Sequence, residues 1–213
     1  MSLSPRDLVA SLLDAGAVRL QPMDPFTWAS GLKSPIYCDN RQLLGFPEAR
    51  GLIVEALVAR TASFAPTIIA GAATAGVPWA AMVADHMGLP MAYVRPTPKN
   101  HGMGRQVEGP LAEGHRAVLI EDLISTGMSS LKCADALRAE GAEVSAVLAL
   151  FSYGLPQAEK AFASAHIGFD VLGSFEVLSD EAERRGILDA SGLAALKDWR
   201  SDTVAWSRAH GGA

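Results

Sequence analysis

Two neighbouring carboxylates, Glu121 and Asp122, stand at the end of an apolar run, and a turn of hydroxyls and glycine, Ser125, Thr126 and Gly127, follows them. The run Val118, Leu119, Ile120 suits a strand buried on both faces of a parallel sheet. After the turn, Met128, Leu131, Ala134 and Leu137 recur at helical spacing, and Gly141 stands where a helix would stop. A strand, turn and helix in this order present free amides at the carboxyl end of the sheet, where open α/β folds bind ligands. Amides and hydroxyls suit a phosphate. Two carboxylates beside it would repel it unless they accept hydrogen bonds from sugar hydroxyls or face a cation. The set describes a site for a phosphorylated ribose. It is not a nucleoside-triphosphate loop, because no G-x-x-x-x-G-K-[ST] occurs. An ordinary strand and helix with solvated acids has the same residue types.

A second group of candidates lies in residues 95–110, a long connection for a compact domain. Its first eleven residues hold Arg95, Lys99, His101 and Arg105 and no acid, and Gly102 and Gly104 give freedom for a hinge. That composition suits a flap that closes over an anion and excludes water. A solvated basic loop is the alternative. Residues 71–76, Gly-Ala-Ala-Thr-Ala-Gly, carry almost no side chain, so a charged group could approach their backbone. A tight packing turn would read the same way. In residues 26–41, Ser30-Gly31 and Ser34-Pro35 punctuate a turn-rich segment whose only cations are Lys33 and Arg41. Ligand contact and surface pairing are both open to them.

The elements that must position these groups read as alternating strands and helices. Strands are expected at 67–71, 90–94, 117–122 and 143–151, with helices between, which indicates βαβ units and a mostly parallel sheet. Ser4, Pro5 and Asp7 mark a first helix, and Pro47 opens another. Beyond Phe151 the pattern gives a helix near 155–165, a short strand at 170–172, and helices starting near Asp180 and Ser191. This part reads as scaffold, with Trp199 and Trp206 packed on the body.

With 213 residues, 49% of them hydrophobic, and a mean hydropathy of +0.19, the chain is long and apolar enough for one globular domain with a real core. A net charge of −5 argues against binding nucleic acid by bulk charge. Two cysteines, Cys38 and Cys133, predict a reduced compartment without a disulfide framework. Residues 61–84 are uncharged and long enough to raise a membrane span, but Pro66, Gly71, Gly76 and Pro78 break them into strand, turn and helix. No signal-peptide pattern opens the sequence. A soluble, cytoplasmic protein is expected.

The ribose-phosphate stretch, the small-residue turn and the basic flap coincide in one family. Ile120-Glu-Asp-Leu-Ile-Ser-Thr-Gly127 resembles the phosphoribosyl-diphosphate motif of the type I phosphoribosyltransferases. Ser30-Gly-Leu-Lys-Ser-Pro-Ile-Tyr37 and Lys99-Asn-His-Gly102 resemble the orotate branch rather than the purine branches. The likeness runs from residue 26 to 151 and more weakly to the C-terminus. It implies that fold: a mostly parallel sheet flanked by helices, with a core at about 43–165. A small hood would come from about 1–42 plus part of the C-terminal region, and the lid from about 95–110. It also implies the reaction of orotate with phosphoribosyl diphosphate to orotidine 5′-monophosphate and pyrophosphate in pyrimidine synthesis. Mg2+ would take part, in a homodimer whose lids complete the neighbouring site.

Residue by residue, the resemblance assigns Arg95, Lys99 and His101 to the pyrophosphate. Glu121 and Asp122 fall to the ribose diol, and Leu123, Ile124, Ser125, Thr126, Gly127, Met128 and Ser129 to the 5′-phosphate loop. Catalytic roles fall on Lys99, Asp122 and His101, and no metal ligand is assigned to the protein. Ser125 and Tyr37 would meet orotate. The sequence departs from the enterobacterial pattern: Ala29 and Ala75 stand in place of lysines, Pro96 in place of a second cation, and Tyr153 in place of an arginine. Lys33 or Arg41, with the backbone of 34–38, is the substitute expected for the orotate carboxylate. A transferase for another base, or a non-catalytic sensor of phosphoribosyl diphosphate, are the competing readings. The second should carry a nucleic-acid-binding extension or a basic face, and this chain has neither.

Overall fold

Helix α1 (Pro5–Asp14) begins at a reciprocal cap, in which Ser4 Oγ accepts from the Asp7 amide and the Asp7 carboxylate accepts from the Ser4 amide. The computed structural model describes residues 3–28, 30–97 and 105–213, and it buries Leu8, Val9 and Leu12 of this helix. Four short strands follow: β1 (Val18–Leu20), β2 (Phe26–Thr27), β3 (Lys33–Ser34) and β4 (Ile36–Cys38). They pair antiparallel, β1 with β4 and β2 with β3. A 3-10 turn (Asn40–Gly45) leads into α2 (Pro47–Ala62).

The body then alternates as expected: β5 (Ile68–Ala72), α3 (Gly76–Met87), β6 (Met91–Val94), β7 (Val107–Glu108), β8 (Arg116–Ile124), α4 (Met128–Ala139), β9 (Glu143–Ser152), α5 (Pro156–Ser164) and β10 (Gly168–Ser174). These strands form a six-stranded sheet in the order β10-β9-β8-β5-β6-β7, parallel except for β7 at the edge. Successive strand side chains point to opposite faces. Ile69, Val118, Ile120 and Leu148 therefore meet α1, α2 and α3, while Ile68, Leu119, Val147 and Ala149 meet α4 and α5. Both faces are covered, which is why the strands read as continuous apolar runs.

Three boundaries differ from the sequence reading. Strand β8 runs two residues past Asp122, so both acids sit within the strand, held by pairing of Leu123 with Phe151. Strand β10 is longer than 170–172 because it pairs with β9 along most of its length. Helix α6 (Phe175–Arg184) starts well before Asp180: Ser174 Oγ caps it by accepting from the Val177 amide, and Phe175, Leu178 and Ala182 make its buried face. Helices α7 (Ala190–Ser201) and α8 (Thr203–Ala209) close the chain, with Trp199 and Trp206 buried. The Lys33 amide donates to Ser207 Oγ, fastening the β2–β3 hairpin to α8. The uncharged stretch 61–84 becomes β5 and most of α3, and among the described residues no helix is long and apolar enough to cross a membrane.

Candidate active site

Strand β5 has β6 on one side and β8 on the other, so the chain reverses direction across the sheet between β5 and β8. Loops diverge there and leave a crevice at the carboxyl ends. The turn after β5 lies against the end of β8. A Cβ on Gly76 would be driven into the Ile120 carbonyl and against the Glu121 backbone, so only glycine lets α3 start here. The sequence signal of a nearly bare turn is thus explained first by close packing, which sets the start of α3 against the Glu121 backbone.

Glu121 is buried, with Oε1 accepting from the Asp122 amide at 3.1 Å and Oε2 from Ser130 Oγ at 3.2 Å. Burial, and then the neighbouring Asp122 charge, push its carboxyl up to about 8. Burial raises Asp122 as well, opposed by hydrogen bonding to Glu121 and by the Arg41 charge. Two acids forced together in a dry place hold a shared proton more tightly than either would alone. Cys133 on α4 faces the same spot, its thiol pushed up to about 12 by burial and the Glu121 charge.

Directly after β8 the chain turns through 125–127, with Gly127 at φ +79, and enters α4. No side chain caps this helix, so the amides of its first turn have no partner within it. Ser125 and Met128 lie at the surface end of this turn, Met128 being 53% exposed. A left-handed glycine followed by uncapped amides is a concavity for an anion.

Beside it opens a pocket of about 360 Å³, lined by Thr27, Trp28, Tyr37, Cys38, Leu123, Ser125 and Tyr153. Trp28 stacks on Tyr153 with ring centroids 5.8 Å apart and planes 17° from parallel, and Trp199 supports both rings edge-on. Flat aromatic walls and a few hydroxyls suit a small planar ring. A wider groove of about 510 Å³ between residues 20–24 and 186–192 contains none of the expected site residues.

The structure gathers Tyr37, Ser125, Glu121 and Asp122 at one end of the sheet. It places Leu123 in the wall of the ring pocket rather than in the anion turn. Lys33 and Arg41 do not line the pocket; Arg41 Nε is 2.6 Å from Asp39, though its charge reaches Tyr37 and Asp122. Arg95 stands at the base of the long loop, its backbone bonded to Gln106 and its Nη1 3.6 Å from Glu108. The arms of that loop are joined as β6 and β7. Lys99, His101, Gly102 and Gly104 lie outside the described residues, as does Ala29. Thr27, Trp28 and Cys38 reach the pocket without having been singled out. An aromatic in a turn-rich segment was their only sequence signal.

Among the described residues no three His, Cys, Asp or Glu side chains gather to hold a metal ion. The donor chemistry nonetheless fits Mg2+ of the kind that takes one or two carboxylates and draws the rest of its octahedron from substrate phosphates and water. Glu121 and Asp122 are the residues that could face it.

A mostly parallel sheet whose switch point carries an acid pair, an uncapped helix start and a flat-walled pocket fits a phosphoribosyltransferase domain, and residues 46–168 match the phosphoribosyl transferase domain family. The orotate phosphoribosyltransferase of Bacillus subtilis (strain 168) is 49% identical over 191 residues, covering 89% of this chain and 88% of that one. That of Streptococcus pneumoniae serotype 4 is 46% identical over 203 residues, 94% of this chain and 97% of its own. The crystal structure of orotate phosphoribosyltransferase from Aeropyrum pernix superposes with a TM-score of 0.73 at 31% identity, over 85% of this chain and 99% of that chain. Leishmania donovani UMP synthase superposes with a TM-score of 0.79 at 25% identity, over 93% of this chain and 42% of that larger one. The chain belongs to the orotate phosphoribosyltransferases.

Proposed function

We propose that this protein transfers the 5-phosphoribosyl group of phosphoribosyl diphosphate to orotate, giving orotidine 5′-monophosphate and pyrophosphate in pyrimidine synthesis. The observation that carries this reading is the adjacency, around one strand end, of an acid pair, an uncapped helix start and a flat-walled pocket. A ribose held by its 5′-phosphate on 125–129 and by its diol on Glu121 and Asp122 turns its C1 towards that pocket.

Cleavage of the bond from C1 to pyrophosphate builds positive charge on the sugar and negative charge on the leaving group. Asp122 lies on the sugar side and favours the cation. Lys99, Arg95 and His101 are the lid groups assigned to the leaving charge, in a site that closing dries. Glu121 and Asp122 are the residues that would hold Mg2+, which would supply neutralising charge to the diphosphate. Orotate N1, with its ring held in the aromatic pocket, attacks C1 without a covalent enzyme intermediate. Fixing that approach contributes several kcal/mol, on the order of 7 in the best-aligned cases. Tyr37 and Ser125 contact the base, and Arg41 or Lys33 holds its carboxylate.

The working protein is a cytoplasmic homodimer in which each lid completes the partner's site; two free thiols suit a reducing compartment. The test follows orotate absorbance with phosphoribosyl diphosphate and Mg2+ present, alongside a panel of other bases. Loss of orotate only when all components are present is expected. Turnover of uracil, xanthine or adenine in its place would reassign the base.

A further inference from the structure

Asn40 is fully buried and has no part in the chemistry above. It opens the 3-10 turn after β4, two residues beyond Cys38. Its Nδ2 donates to the Asp122 carbonyl at 2.6 Å, and its Oδ1 accepts from Cys38 Sγ at 3.1 Å. Cys38 is part of the wall of the ring pocket, while Asp122 carries the acid assigned to the ribose diol. One side-chain amide therefore spans both substrate subsites.

Among the described residues no ladder fixes the distance between those subsites. Strand β4 pairs only with β1, and β8 belongs to the central sheet. The β5–β8 ladder ends at Gly71 with Ile120, so Asp122 lies beyond it and its carbonyl takes the Asn40 amide instead. Removing the whole amide would leave both the Asp122 carbonyl and the Cys38 thiol without this partner, and removing its Nδ2 alone would unpair the carbonyl, which buried polar groups rarely tolerate. We propose that Asn40 is a positioning residue, holding the base pocket at its working distance from the ribose so that N1 meets C1 in line. This rests on the reading of the reaction given above.

The test compares Asn40→Asp and Asn40→Ser with the wild type. The introduced carboxyl keeps the size of the amide. Ionised, it faces the Asp122 carbonyl with an oxygen that cannot donate; protonated, its hydroxyl replaces Nδ2 as donor. Burial beside a carbonyl raises its pKa, so the switch falls within an accessible range. For Asn40→Asp, kcat on the alkaline side is expected to fall on the order of 10²-fold, the loss a small misplacement near the chemistry can cause. KM for both substrates stays nearly unchanged, and the deficit, taken as a ratio to wild type at the same pH so that the titration of Glu121 and Asp122 cancels, shrinks as pH falls. Asn40→Ser loses kcat without that recovery. Wild-type kcat in either variant, or a deficit in Asn40→Asp that does not depend on pH, overturns the proposal. So does failure of both variants to fold, which would make Asn40 a core residue and nothing more. Wild-type protein inactive on orotate overturns the reading of the reaction instead, a result the variants cannot mimic.

Discussion

Ser130 Oγ donates to Glu121 Oε2 across 3.2 Å, so the first turn of α4 grips the carboxyl group that ends the apolar run of β8. Both residues are buried. The helix start proposed to face the 5′-phosphate and the acid proposed to face the ribose are thereby parts of one rigid unit. A ligand that engages one finds the other already in place, which lowers the ordering cost of binding.

The same burial gives Glu121 a signature in stability. Its carboxyl is ordinarily half-protonated at 4.5 and is pushed up to about 8 in the fold. Between those values the folded state binds a proton that the unfolded chain has lost. Stability from this group is therefore complete below about 4.5 and declines as pH rises through about 8. Glu121→Gln removes the titration. Denaturant midpoints across pH should decline less for the variant than for the wild type, and equal slopes would place the proton elsewhere.

Gly127 cannot be replaced cheaply. Its φ of +79 is a left-handed conformation, and a Cβ there would stand 2.7 Å from Phe162 Cε2. Gly127→Ala is expected to cost about 1–3 kcal/mol of stability, the usual range for a strained backbone position. Because the strain falls on the anion turn, KM for phosphoribosyl diphosphate should rise more than KM for orotate. Equal effects on the two would separate this turn from the phosphate.

These expectations show where the sequence was legible. The parallel sheet could be read because burial on both faces leaves apolar runs such as Val118-Leu119-Ile120, and the turn into α4 because glycine and hydroxyls follow that run directly. The start of α6 was misplaced because Asp180 and Glu183 resemble a cap, whereas Ser174 performs the capping and Phe175 already packs in the core. The ring pocket was harder still. Thr27 and Trp28, Tyr37 and Cys38, and Tyr153 come from separated segments that only the fold brings together, with Trp199 packed against Trp28 and Tyr153. Asn40 was invisible for the same reason, since its partner Asp122 is distant along the chain.

The orotate carboxylate needs a cation that the pocket walls do not supply. Arg41 is the better placed of the two candidates, because its charge acts on both Tyr37 and Asp122. Arg41→Ala should raise KM for orotate on the order of tenfold, as expected for losing one charge-assisted hydrogen bond. Lys33→Ala should change it little. If both variants keep the wild-type KM, neither side chain holds the carboxylate and the backbone of 34–38 is left to do so.

In the proposed reaction Lys99 and Asp122 serve opposite ends of the bond that breaks, and the proposed dimer puts them on different subunits of one site. Lys99→Ala should lower kcat by roughly 10²–10³, the loss seen when one donor to a developing negative charge is removed. Asp122→Asn removes the charge that favours the cationic sugar and should also lower kcat. A mixed dimer with one damaged subunit of each kind has one site carrying both defects and another carrying neither. Mixing the two inactive variants, with exchange of subunits checked by differently sized tags, should therefore restore part of the activity. Confirmed exchange with no recovery would mean that each chain closes its own lid over its own site. A Lys99→Ala enzyme within about threefold of wild type would remove this residue from the charge stabilisation altogether.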